Sequence, residues 1–144
     1  MSQQTVRAAK SISYEGLDAA FEQNETIKSN LLLEIQFLRA QQKDSDEIVA
    51  KFAQAASIEE HLSEVCAQKG LRENFFVHRW SAASCWAGAF NFYRALELCD
   101  ELLAQADLPE RLRQRIQQYS LTMRARRARL NEEIAETAEV AMAA

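Results

Sequence analysis

Glycine and proline are scarce: three glycines and one proline stand in a chain of 144 residues. Most β folds need turn residues at short intervals, so this scarcity excludes them. No apolar run approaches the roughly 20 residues of a membrane span, and the opening MSQQTVRAAKSIS lacks the apolar stretch of a signal peptide. Cysteine is limited to Cys66, Cys85 and Cys99, an odd number with no CxxC spacing. That pattern predicts buried thiols in a reduced, cytoplasmic protein and no disulfide framework. Thiols on apolar helix faces are also poor nucleophiles, because burial disfavours the thiolate.

Histidine is equally sparse. Neither His61 nor His78 has a glutamate three residues before it, which removes the Glu-x-x-His pairs of a di-iron bundle. Glu60, His61 and Glu64 share one helix surface, but Glu59-Glu60-His61 is expected to face water. No metal site, cofactor or membrane contact is therefore expected.

What the chain does contain is helix-forming. Alanine, leucine, glutamate, glutamine and arginine dominate, and an all-α domain of about six helices follows. Residues 1–12 read as a flexible segment, 13–136 as one helical domain, and 137–144 as a frayed tail. A short helix is predicted from Tyr14 to Gln23. Asn24 then caps a second, striped by Ile27, Leu31, Ile35 and Leu38. Asp44-Ser-Asp-Glu47 is a capping-box pattern that opens the third, which carries Ile48, Phe52, Ala55, Ile58, Leu62 and Val65 and ends at Gly70. The fourth spans Arg72–Phe90 and the fifth Phe92–Ala106. A second capping box, Asp107-Leu-Pro-Glu110, precedes a long sixth helix over 108–136. Its seam, Leu112, Ile116, Tyr119, Met123, Leu130 and Ile134, is close to a heptad pattern. Short connections make antiparallel neighbours.

The stretch ASCWAGAFNFYRALELC (Ala83–Cys99) interleaves small residues with Trp86, Phe90, Phe92, Tyr93 and Leu96. Small residues allow two helices to approach, and large ones fill the holes beside them, so Trp86, Phe92 and Tyr93 are expected in the core. The pattern resembles the tetratricopeptide repeat. Ala83 stands at that repeat's Gly position and Trp86 at its Tyr. Phe92 matches the aromatic that opens the second helix, Ala95 the small residue, and Cys99 the Phe of Ala-x3-Phe. Arg79 replaces the early Trp, and Pro109 arrives late. The resemblance covers roughly residues 79–109, within a hairpin over about 72–107, and implies a right-handed stack of helix pairs. It also implies a face, lined by the first helix of each pair, that holds a protein partner. Asn30, Asn74, Arg79 and Arg124 are the exposed candidates on that face.

Charge is unevenly spread. Residues 108–131 carry seven arginines against Glu110, while residues 132–144 carry four glutamates and no base. On a helical wheel Arg111, Arg115, Arg126 and Arg129 take one flank of the seam, and Arg113, Arg124 and Arg127 the other. Divided in this way, they form no single stripe for nucleic acid, and they are expected to pair with acids within the fold or on an acidic protein. A second resemblance is to the Arg-x4–6-His signature of HEPN ribonucleases, in Arg72-Glu-Asn-Phe-Phe-Val-His78. It implies metal-independent RNA cleavage, with Arg72 on phosphate and His78 as acid or base. The plainer reading leaves Arg72 in water at a helix start and His78 on a helix flank. The expectation is a non-enzymatic adaptor that binds a protein partner or itself.

Overall fold

The computed structural model describes residues 17–143. The expected flexible segment 1–12 lies outside them. Among the described residues the chain is helical with no strand: α1 (Ala19–Ala40), α2 (Ser45–Gln68), α3 (Arg72–Gly88), α4 (Phe92–Leu103) and α5 (Glu110–Ala143). The all-α expectation holds, with five helices among the described residues against about six expected.

The first two expected helices are one. Asp18 caps α1, its carboxylate accepting from the Phe21 N–H at 3.0 Å. Asn24 lies inside the helix, because a capping side chain does not stop a helix when neither Gly nor Pro follows it. Residues 14–16 of the expected first helix lie outside the described part.

Each helix packs chiefly on its neighbours in the chain, across connections of three to six residues. Such short links set successive helices antiparallel. α1, α2 and α3 end alike, with a left-handed residue just past the helix: Gln42 (φ 52°), Gly70 (φ 72°) and Phe90 (φ 60°). The next N–H then returns to a carbonyl in the last turn, from Lys43 to Leu38, Leu71 to Cys66 and Asn91 to Trp86, each at 2.9 Å. Gly70 suits this conformation, whereas Phe90 adopts it against the clash of its own Cβ.

The Ala83–Cys99 stretch is packing. Ala82, Ala83 and Ala95 are fully buried and Ala87 nearly so. Leu98 and Leu102 are also fully buried, each contributing about 2 kcal/mol by removal from water. Phe92 and Cys99 lie with them in the core, and Trp86 packs half-buried at its edge. Tyr93 does not follow. It falls off the buried stripe of α4 and is 65% exposed, with the Arg127 guanidinium 5.0 Å over its ring.

α5 runs through Ala143, past the Glu136 at which it was expected to end. Its 34 residues span about 51 Å, against about 18 Å for the 12 residues of α4. Ile116, Ser120 and Met123 are buried against the fold, but every residue from Asn131 to Ala143 is exposed. Asp107 does not cap α5. Its carboxylate is held instead by Arg72.

Candidate functional site

α3 lies between α2 and α4, so both of its flanks are covered. Asn74 and His78 are buried there, against the expectation that Asn74 is exposed. The buried face of α2 carries Ala55, Ala56, Glu59, Leu62, Ser63 and Cys66, and so places an acid in the interior. Glu59, expected in water, is 1% exposed, and only His61 of that trio is open to solvent.

Three helices meet at this acid. His78 of α3 places Nδ1 3.3 Å from Glu59 Oε2 and Nε2 3.8 Å from Glu25 Oε1 of α1. Lys28, one turn after Glu25, sets its ammonium 3.2 Å from Glu59 Oε1 and 3.3 Å from Glu25 Oε1. The Phe21 ring meets the imidazole edge-on at 5.6 Å. Burial by itself would lower the Lys28 pKa, but the charges of Glu59 and Glu25 outweigh it and hold the ammonium above its ordinary value.

An unpaired carboxylate in the interior is costly, and Lys28 supplies the opposite charge. The compensation is incomplete. Buried His78 Nε2 makes no hydrogen bond among the described residues, and Glu59 Oε1 has the Lys28 ammonium as its one neighbour of opposite charge there. Glu25, Glu59 and His78 each bring a ligand-type atom within 4.8 Å of the others, a donor set of one imidazole nitrogen and two carboxylate oxygens. No single-helix spacing announces this cluster, because one residue comes from each of three helices. For Glu59 alone there is a signal, a charged residue at helical spacing among apolar ones, Ala55, Leu62 and Cys66.

The thiols near the cluster are inert. Burial, with the carboxylates of Glu25 and Glu59 nearby, pushes Cys66 up to about 11. Cys85 is pushed up to about 12, chiefly by burial and then by Glu59. Burial likewise takes Cys99 to about 11. All three cysteines are free.

Arg72 and His78 are not brought to one place. Arg72 forms a two-pronged pair with Asp107 at 2.8 and 2.9 Å and donates to Gln105, while its guanidinium stacks 5.0 Å over Phe75 and Phe76. His78 faces α1 and α2. The four candidate partner residues are not gathered either. Asn30 is exposed on α1 and Asn74 is buried. Arg79 is tied to Ser63 at 3.0 Å and to Glu101 at 2.5 Å. Arg124 is half-exposed, 3.7 Å from Asp100.

The two arginine flanks of α5 differ in kind. One faces α4: Arg113 donates to the carbonyls of Leu103 and Gln105, Arg124 meets Asp100, and Arg127 covers Tyr93. The other flank, Arg111, Arg115, Arg126 and Arg129, is exposed and forms no ion pair among the described residues. Beside Arg126 and Arg129 an open groove is lined by Phe90, Phe92, Leu130 and Glu133. Phe90 is 60% exposed at its rim. No helix among the described residues is long and apolar enough to cross a membrane.

Comparison with protein-family models, with curated proteins and with solved structures gives no match in any of the three.

Proposed function

We propose that the protein is a non-enzymatic, cytoplasmic protein–protein interaction module that pairs with a second copy of itself through the projecting end of α5. One observation carries this reading. The face of α5 that buries Ile116 and Met123 against the fold continues beyond it, uncovered, through Ile134, Ala138 and Ala141.

Charge favours a second copy as the occupant. The end of α5 carries Glu132, Glu133, Glu136 and Glu139 and no base, and just before it stand Arg124, Arg126, Arg127 and Arg129. Antiparallel pairing about a twofold axis near residue 131 sets Glu133 opposite Arg129 and Glu136 opposite Arg126. These two arginines are among the four that form no ion pair among the described residues. A twofold contact of this kind is self-complementary and closes as a dimer.

Successive helix pairs with short turns, and the buried small residues Ala83 and Ala95, support the finer reading of a tetratricopeptide-like stack in which α5 stands as the next first helix. The ribonuclease reading has no comparable support, because Arg72 and His78 are engaged with different partners.

Sedimentation velocity of the full chain over a range of concentrations tests the proposal. A dimer that dissociates on dilution is expected. A monomer at every concentration overturns it.

A further inference from the structure

We infer that Glu25, Glu59 and His78 form a site for a divalent transition-metal cation, which Lys28 fills with its ammonium when no metal is bound. The cluster is more than a patch of acids. It includes an imidazole, two of its three residues are buried, and the enclosed His78 Nε2 makes no hydrogen bond among the described residues. A buried donor atom with no partner is unfavourable in a folded protein, and a ligand is one way to satisfy it.

The lysine marks where positive charge belongs. Its nitrogen lies 3.2 and 3.3 Å from one oxygen of each carboxylate, between α1 and α2. Lys28 reaches that point from the edge of the fold, with its side chain 17% exposed, whereas Glu59 and His78 are enclosed. The lysine can therefore withdraw its ammonium to water on its flexible stem, and the two enclosed groups stay in place. A dication in its place balances both carboxylates.

The donor set indicates the class of ion. One imidazole nitrogen with two carboxylate oxygens suits Zn2+, Mn2+ or Fe2+ and offers nothing to a soft monovalent ion. Bonds of about 2.1 Å bring neighbouring ligand atoms to about 3.4 Å in a tetrahedral shell. His78 Nε2, the nitrogen that makes no hydrogen bond among the described residues, lies 3.8 Å from Glu25 Oε1, close to that spacing. Three protein ligands leave at least one position for water.

The test is titration of the full chain with Zn2+ by calorimetry and with Co2+ by visible absorption, on the wild type, Lys28→Met and His78→Gln, with far-UV circular dichroism as the check of folding. The expected result is one Zn2+ per chain in the wild type. Lys28→Met should bind about tenfold or more tightly, because the competing ammonium is gone. His78→Gln should lose the site and the ligand-field bands of bound Co2+. No binding by the wild type, or no gain in Lys28→Met, overturns the inference. An affinity unchanged in His78→Gln also overturns it, because the ion then sits on surface carboxylates. Should His78→Gln fail to fold, the gain in Lys28→Met and its Co2+ spectrum decide alone.

Discussion

The ring of Phe52 in α2 occupies the space beside Gly88 in α3: a Cβ at Gly88 would lie 2.8 Å from the ring carbons. This close approach is what the small residues of the Ala83–Cys99 stretch permit. Alanine is the better helix former by about 1 kcal/mol, so propensity alone favours Gly88→Ala. Overpacking reverses the sign, at a cost of about 1–3 kcal/mol. Urea denaturation should show Gly88→Ala less stable than the wild type. In Phe52→Ala, where the ring is gone, the same change should be neutral or stabilising. Equal effects in both backgrounds would mean that the two residues do not meet.

Acid should weaken the contact between α2 and α4. Glu60 accepts hydrogen bonds from Trp86 Nε1 and from Arg94. Burial alone would raise its pKa, but the hydrogen bonds from Arg94 and Trp86 outweigh burial and hold it below the ordinary glutamate value. A carboxyl depressed in the folded state adds stability above its unfolded pKa of about 4.3, and that stability is lost as pH falls through the folded value. Glu60→Gln should cost about 1–2 kcal/mol at neutral pH. It should also flatten the loss of stability below about pH 4.3, as read from denaturation midpoints across the acid range.

Much of this architecture is legible in the sequence, through residues that act locally. Asp44 and Gly70 mark the ends of α2 because a cap and a left-handed residue work within one turn. The break expected at Asn24 fails for the same reason: a cap residue permits a helix start and does not force one. Tyr93 and Glu59 were misplaced because one residue of slip along a helix turns a side chain by about 100°. That is enough to exchange core for solvent. The cluster of Glu25, Glu59 and His78 was beyond reach, because its members meet only when three helices pack. Arg72 and Asp107 illustrate the same limit, a pair formed across 35 residues between positions read separately as helix starts.

Phe90 holds a left-handed backbone with its ring largely exposed, beside Leu130 and Arg126. Phe90→Gly should relieve about 1 kcal/mol of backbone strain and lose about 0.5 kcal/mol from the edge-to-face contact with Phe92. Chemical denaturation of the dilute monomer should therefore show a small gain in stability. The same variant should dimerise more weakly, because the ring borders the face of α5 assigned to pairing. A loss of stability would show that the ring is held by contacts stronger than its strain.

The pairing of α5 is the central claim, and charge exchange tests it most directly. Glu133→Arg with Glu136→Arg in one chain, and Arg126→Glu with Arg129→Glu in another, each set like charges across the proposed axis. Sedimentation velocity should show a wild-type dimer, a dissociation constant raised about tenfold or more in each variant alone, and a heterodimer when the two are mixed. A wild-type monomer, or variants that dimerise as tightly as the wild type, would contradict the account.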